Sequence, residues 1–153
     1  MAASQGILAH ITVLSPFVDP ETVDDTLLNR LGTALRSVPA FDCSFSRCRW
    51  FGEDVLWLAP EPQQPFRDFT LAVWRAFPGH PPFGGIFADL VPHMTVGERR
   101  RGTMAELRAA EAAVCAHLPI KAHVDHALLM AGTNTEDSWQ TVQEFRFPRL
   151  PST

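Results

Sequence analysis

The pattern His-apolar-Thr-Val occurs twice, as His10-Ile11-Thr12-Val13 and as His93-Met94-Thr95-Val96, 83 residues apart. In a β-strand, residues i and i+2 share a face and lie roughly 6.5–7 Å apart along the chain. Each copy therefore sets an imidazole and a hydroxyl side by side, with its apolar residues on the opposite face pinning the strand to a core. A single His-x-Thr carries no weight, because a strand histidine facing outward is ordinarily just solvated or hydrogen-bonded. The matched pair, with the same valine and with Pro92 ahead of the second copy, sets these residues apart. A chain that uses both copies together must fold so that two distant segments become neighbours.

The rest of the sequence fills in that frame. Residues 7–14 alternate as a strand. Asp19-Pro20 offers an N-cap and an N1 proline, and Val23, Leu27, Leu31, Leu35 and Val38 continue at helical spacing, which predicts a helix over 20–37 ended by Pro39. Residues 41–51 and 54–59 read as strands joined by a hairpin turn at Gly52-Glu53. After a proline-rich loop over 60–65, Phe66, Phe69, Val73, Trp74 and Phe77 predict a second helix, closed by Pro78. A Pro/Gly segment over 79–85 leads to a strand over 91–97 that holds the second motif. Thr103-Met104-Ala105-Glu106 is a capping box that opens a third helix to about 117. Strands near 120–131 and 138–147, joined by the loop 132–137, complete the chain. The order βαββα then βαββ predicts an α+β fold with two mainly antiparallel sheets covered by helices. No linker or low-complexity segment divides it, so residues 1–153 are read as one domain.

Composition narrows the function classes. At 153 residues, with 46% hydrophobic and 20% charged residues, the chain is globular rather than disordered. No apolar run approaches the about 20 residues a membrane span needs. The first residues show neither a basic nor an apolar leader region, so no membrane association and a cytoplasmic location are expected. Cys43, Cys48 and Cys115, without a CxxC, read as buried or half-buried thiols in a reducing compartment. A net charge of −4 argues against a long nonspecific nucleic-acid tract and leaves room for a small phosphorylated ligand. His123 and His126 are three apart in a predicted strand and so face opposite ways, which is poor metal-ligand geometry. Arg99-Arg100-Arg101 is a short basic run next to a turn, where solvation is the ordinary role.

Two histidines and two threonines, if gathered, suit one chemistry. Breaking a phosphodiester in line needs a base on the attacking oxygen and an acid on the leaving oxygen, on opposite sides of phosphorus. Imidazole serves both roles near neutral pH because its ordinary pKa is about 6.5. Threonine hydroxyls donate to the non-bridging oxygens, whose charge must be held in the transition state. The expected catalytic residues are His10 and His93, and the expected phosphate-binding residues are Thr12 and Thr95. Phe17, Phe83 and Phe87 are candidates for a substrate pocket by position, and Arg99 is the candidate cation. No metal or cofactor is required by this logic.

The chain resembles the 2H phosphoesterase superfamily, and within it the bacterial 2′-5′ RNA ligase-like branch. The stretches carrying the resemblance are residues 9–17 and 91–97, with residues 58–62, Phe66, Ala76-Phe77-Pro78 and Phe83-Gly84-Gly85 between them. The resemblance implies a bilobal α+β fold with two pseudo-twofold related antiparallel sheets, helices outside and a central cleft. It implies a metal-independent site in that cleft, with His10 and His93 as acid/base pair and Thr12 and Thr95 on the phosphate. Substrates of such proteins are 2′,3′-cyclic phosphates, 2′-5′-linked oligonucleotides and cyclic nucleotide-like esters, so the expected partner is a small phosphoester or short oligonucleotide, bound by a monomer. Three departures stand out. Relatives usually have a further strand ahead of the first motif, and only nine residues precede His10 here. Many RNA-processing members have an arginine three residues after the second threonine, where this chain has Glu98. There is no tyrosine, so any base stacking falls to Phe or Trp. The rival readings are a non-catalytic module that binds a nucleotide or phosphorylated metabolite in the same cleft, and a scaffold with fortuitous motifs.

Overall fold

The structure, a computed structural model, describes residues 7–85 and 89–151. Asp24 accepts the Leu27 N–H at 2.8 Å and thereby starts helix α1, Asp25–Leu35. The expected start at Asp19-Pro20 is corrected. That pair caps a separate 3-10 turn, Pro20–Thr22, which ends where Val23 is extended. Gly32 lies on the buried face of α1, and a Cβ there would come within 3.4 Å of the Phe145 ring. The missing side chain lets the helix approach the last strand closely.

Strands β1, Phe41–Phe51, and β2, Val55–Glu61, form an antiparallel hairpin. Its turn uses Gly52 at φ +56°, a left-handed conformation that glycine adopts without strain. β2 runs on through Pro60 and Glu61, which pair with Phe45 and Ser44, so the expected loop begins only after them. Helix α2, Gln64–Ala76, places Pro65 in its first turn, where no backbone N–H is needed. Strand β3, Met94–Glu98, precedes helix α3, Met104–Cys115. The capping box at the start of α3 is complete. Thr103 Oγ1 accepts the Glu106 N–H at 3.2 Å, and Glu106 Oε2 accepts the Thr103 N–H at 2.7 Å. Thr103→Ala is expected to cost about 1 kcal/mol, read as a lowered midpoint in thermal unfolding.

Strands β4, Ile120–Val124, β5, His126–Ala131, and β6, Gln140–Arg146, follow. The single strand expected over 120–131 is broken at Asp125. Its carboxylate faces His126 at 2.7 Å and Arg146 at 3.2 Å, while its carbonyl accepts the Phe147 N–H at 2.9 Å. β4 joins the four-stranded antiparallel sheet β3-β2-β1-β4, and β5 pairs with β6. His123 and His126 thus lie in different sheets, each against its own aspartate, Asp42 and Asp125.

Two apolar cores result. Helix α3 packs on β1 and β3 over Cys43, Phe45, Leu58 and Phe66. Helices α1 and α2 pack with β6 over Leu31, Leu35, Phe69, Val73, Phe145 and Phe147. Phe41 and Val124 touch both cores and join them. The fold is therefore α+β with two antiparallel sheets and outer helices, though the sheets are unequal, at four strands and two. Cys48 Sγ and Cys115 Sγ lie 3.1 Å apart between β1 and the end of α3. Burial, reinforced by the contact with Cys115, pushes the Cys48 thiol up to about 12. Cys115 itself is exposed, not buried. No helix among the described residues is long and apolar enough to cross a membrane.

The expected strand over 7–14 does not form. The segment makes no ladder with either sheet. Its backbone is tied instead by a side chain and a turn. Thr70 Oγ1 donates to the Val13 carbonyl at 2.6 Å, and the Phe83 N–H donates to the Ser15 carbonyl at 2.7 Å. Its apolar residues still turn inward, Ile11 onto the α3-side core and Val13 and Leu14 onto the other.

Candidate active site

Strand β3 sorts the second motif by its alternation. Met94 and Val96 pack into the core beneath α3. Met94 pairs with Leu58 and Thr95 with Trp57, and directly paired residues share a face. His93, Thr95 and Trp57 therefore stand together on the face turned away from α3. The His93 ring is bounded by Phe51 at 5.1 Å and 90°, Trp57 at 6.0 Å and Phe83 at 6.2 Å between centroids. Phe51 stacks on Trp57 at 4.6 Å. His93 is half-buried in this aromatic enclosure, whereas His10 is exposed. Thr12 and Thr95 are half-buried. Trp57 Nε1 is a buried side-chain donor with no partner among the described residues. Such orphaned donors are rare enough in native folds to draw attention to their surroundings.

Phe83 connects the two motif segments. Its N–H is bonded to Ser15, three residues beyond Thr12, and its ring lies against His93. It does so at φ +52°, a left-handed conformation costly for an aromatic residue, followed by Gly84 at +64° and Gly85 at +78°. The turn Pro82–Gly85 is thus held in a strained shape while bridging the two motifs.

Both histidines repeat one local arrangement. His10 Nδ1 lies 2.8 Å from the Leu8 carbonyl, and His93 Nδ1 lies 2.8 Å from the Val91 carbonyl. A carbonyl only accepts, so Nδ1 carries the hydrogen and the lone pair of each neutral ring sits on Nε2. Among the described residues, only these two histidines bond the carbonyl two residues back. The contact fixes tautomer and ring orientation together, leaving Nε2 to take or give a proton.

The other candidates fall in different places. Phe17 packs edge-on against Phe77 at 5.0 Å and lies 5.7 Å from His80, at the margin of the helix-side core. Phe87 lies outside the described residues. Arg99 is exposed in a 3-10 turn just past β3, its N–H bonded to the Asp54 carbonyl at 2.8 Å. Glu98 is engaged by Arg100 through a short charge-assisted bond, which offsets its negative charge near Thr95. A groove of about 600 Å³ runs farther along the same sheet, lined by Asp42, Ser44, Glu61, Lys121 and His123. Sequence reasoning did not reach Phe51 and Trp57, whose place beside His93 depends on strand register.

Residues 3–136 match the family model of the 2′-5′ RNA ligase superfamily. The chain belongs to that superfamily. The match takes in both His-x-Thr motifs and all three helices, and it ends before β6. This superfamily is one of phosphoesterases and ligases, so its chemistry is the making and breaking of phosphoester bonds. No curated protein sequence matches the chain.

Proposed function

We propose that this superfamily member is a metal-independent phosphodiesterase acting on a small cyclic phosphate or a 2′-5′-linked nucleotide-type phosphoester. The carrying observation is the matched pair of Nδ1-to-carbonyl bonds on His10 and His93, each leaving Nε2 free for proton transfer. One neutral imidazole takes the proton of the attacking water as its oxygen bonds to phosphorus. The other, protonated, gives its proton to the leaving oxygen as the P–O bond breaks. The roles exchange with the direction of the reaction and with the way the substrate lies. Thr12 and Thr95, each two residues beyond its histidine, donate to the non-bridging oxygens.

The test is turnover in EDTA of a panel of 2′,3′-cyclic nucleotides, 2′-5′ dinucleotides and 3′-5′ dinucleotides, with the His10→Ala/His93→Ala double variant as control. Cleavage of a cyclic or 2′-5′ ester that persists in EDTA and is lost in the double variant is the expected result. Saturable binding of the same compounds without product would instead assign the site to a binding module.

A further inference from the structure

A phosphodiester carries a full negative charge that becomes more concentrated on its non-bridging oxygens in the transition state, and two threonine hydroxyls are neutral donors. A fixed cation beside them would be worth far more than a third hydroxyl. Position 98, next in line on β3, holds a carboxylate already occupied by Arg100. Strand register locates a different cation. Thr95 pairs with Trp57, and Trp57 pairs with Arg49 on β1. The three residues form one row across the sheet face that carries His93. With strands about 4.8 Å apart, the Cα atoms of Thr95 and Arg49 are separated by about 10 Å. An extended arginine and a phosphate group fill that gap. Trp57, only 5% exposed, forms the floor between them.

Arg49 is also an uncommitted guanidinium on this face. Arg47 faces Glu61 at 4.0 Å, and Arg49 has no ion pair, side-chain hydrogen bond or ring contact among the described residues. Arg108, on helix α3 at the opposite face of the sheet, and Arg100, in the turn after β3, are engaged by Glu111 and Glu98. We propose that Arg49 is a phosphate-binding residue, its guanidinium gripping the non-bridging oxygens of the scissile phosphate opposite Thr95. This rests on the phosphodiesterase reading for the reaction, though not for the binding of an anion.

The experiment compares Arg49→Ala, Arg49→Lys and, as a remote control, Arg75→Ala on helix α2. Two readouts are taken at low salt. The first is kcat/KM on the best substrate of the panel. The second is stabilisation of the protein against heat by inorganic phosphate. Arg49→Ala is expected to lower kcat/KM about 100-fold, with partial recovery on adding free guanidinium, which a structural role would not give. Arg49→Lys is expected to fall between, since an ammonium keeps the charge but not the fork. Phosphate is expected to stabilise the wild-type and Arg75→Ala proteins and to lose that effect in Arg49→Ala. A loss under about fivefold in Arg49→Ala, the range of an ordinary exposed charge, overturns the assignment. So does a full loss in Arg99→Ala with Arg49→Ala unaffected. If the wild-type chain turns over nothing, the phosphodiesterase reading fails separately. Phosphate stabilisation that depends on Arg49 then still supports the anion site, and stabilisation indifferent to Arg49 overturns it.

Discussion

His10→Asn and His93→Asn are each expected to lower kcat by about 10³-fold while leaving the folded state intact. Asparagine is the informative choice. Its side-chain amide can still donate to the carbonyl of Leu8 or Val91, as Nδ1 now does, but it has nothing in the place of Nε2. A loss as deep as that of the alanine variants says that the free nitrogen carries the chemistry. Far-UV circular dichroism and the unfolding midpoint check the fold. His93 needs that check most, since its ring is packed among Phe51, Trp57 and Phe83. Full turnover in either asparagine variant would remove that histidine from the mechanism. Wild-type kcat/KM is expected to follow a bell-shaped pH profile, because the reaction needs one neutral and one protonated imidazole at once.

The largest effect on stability is expected at Phe69. It is 1% exposed, stacks on Phe147 at 4.4 Å and lies 6.1 Å from Phe41. It therefore holds α2 to the segment after β6 and to the start of β1, where the two cores meet. Phe69→Ala removes a whole ring from a site walled by two other rings, which leaves a cavity that cannot easily collapse. The expected cost is about 3–5 kcal/mol in urea unfolding. Phe51→Ala serves as contrast. Phe51 is 37% exposed and is expected to cost much less stability. A loss below about 1 kcal/mol for Phe69→Ala would mean that the helix-side core does not depend on this contact.

Features written in local chemistry were legible in the sequence. The capping box at Thr103 needs only residues three apart, and the start of α3 follows from it. The alternation around His93 divides Met94 and Val96 from His93 and Thr95 without knowledge of any partner strand. Features set by pairing were not legible. Residues 7–14 have a strand's pattern, but a strand needs a neighbour; the Val13 carbonyl goes to Thr70 instead, and that of Ser15, just beyond, to Phe83. The stretch 120–131 reads as one continuous strand because a strand that changes sheets keeps its composition, and Asp125 marks the break. In the candidate site, the His-x-Thr pairs were readable from spacing. Trp57, Phe51 and Arg49 were not, because their place beside the second motif depends on the β1–β2–β3 register and its irregularities.

The central claim is that the two motifs serve one phosphoester. Nitrogen-15 NMR of the two imidazoles during titration with a nucleoside 2′-monophosphate tests it most directly. Both neutral rings are expected to carry hydrogen on Nδ1. The Nε2 signals of His10 and His93 are expected to move together along one binding curve with a single Kd. A ligand that shifts one histidine and leaves the other unmoved, or that gives them separate binding curves, would contradict a shared site.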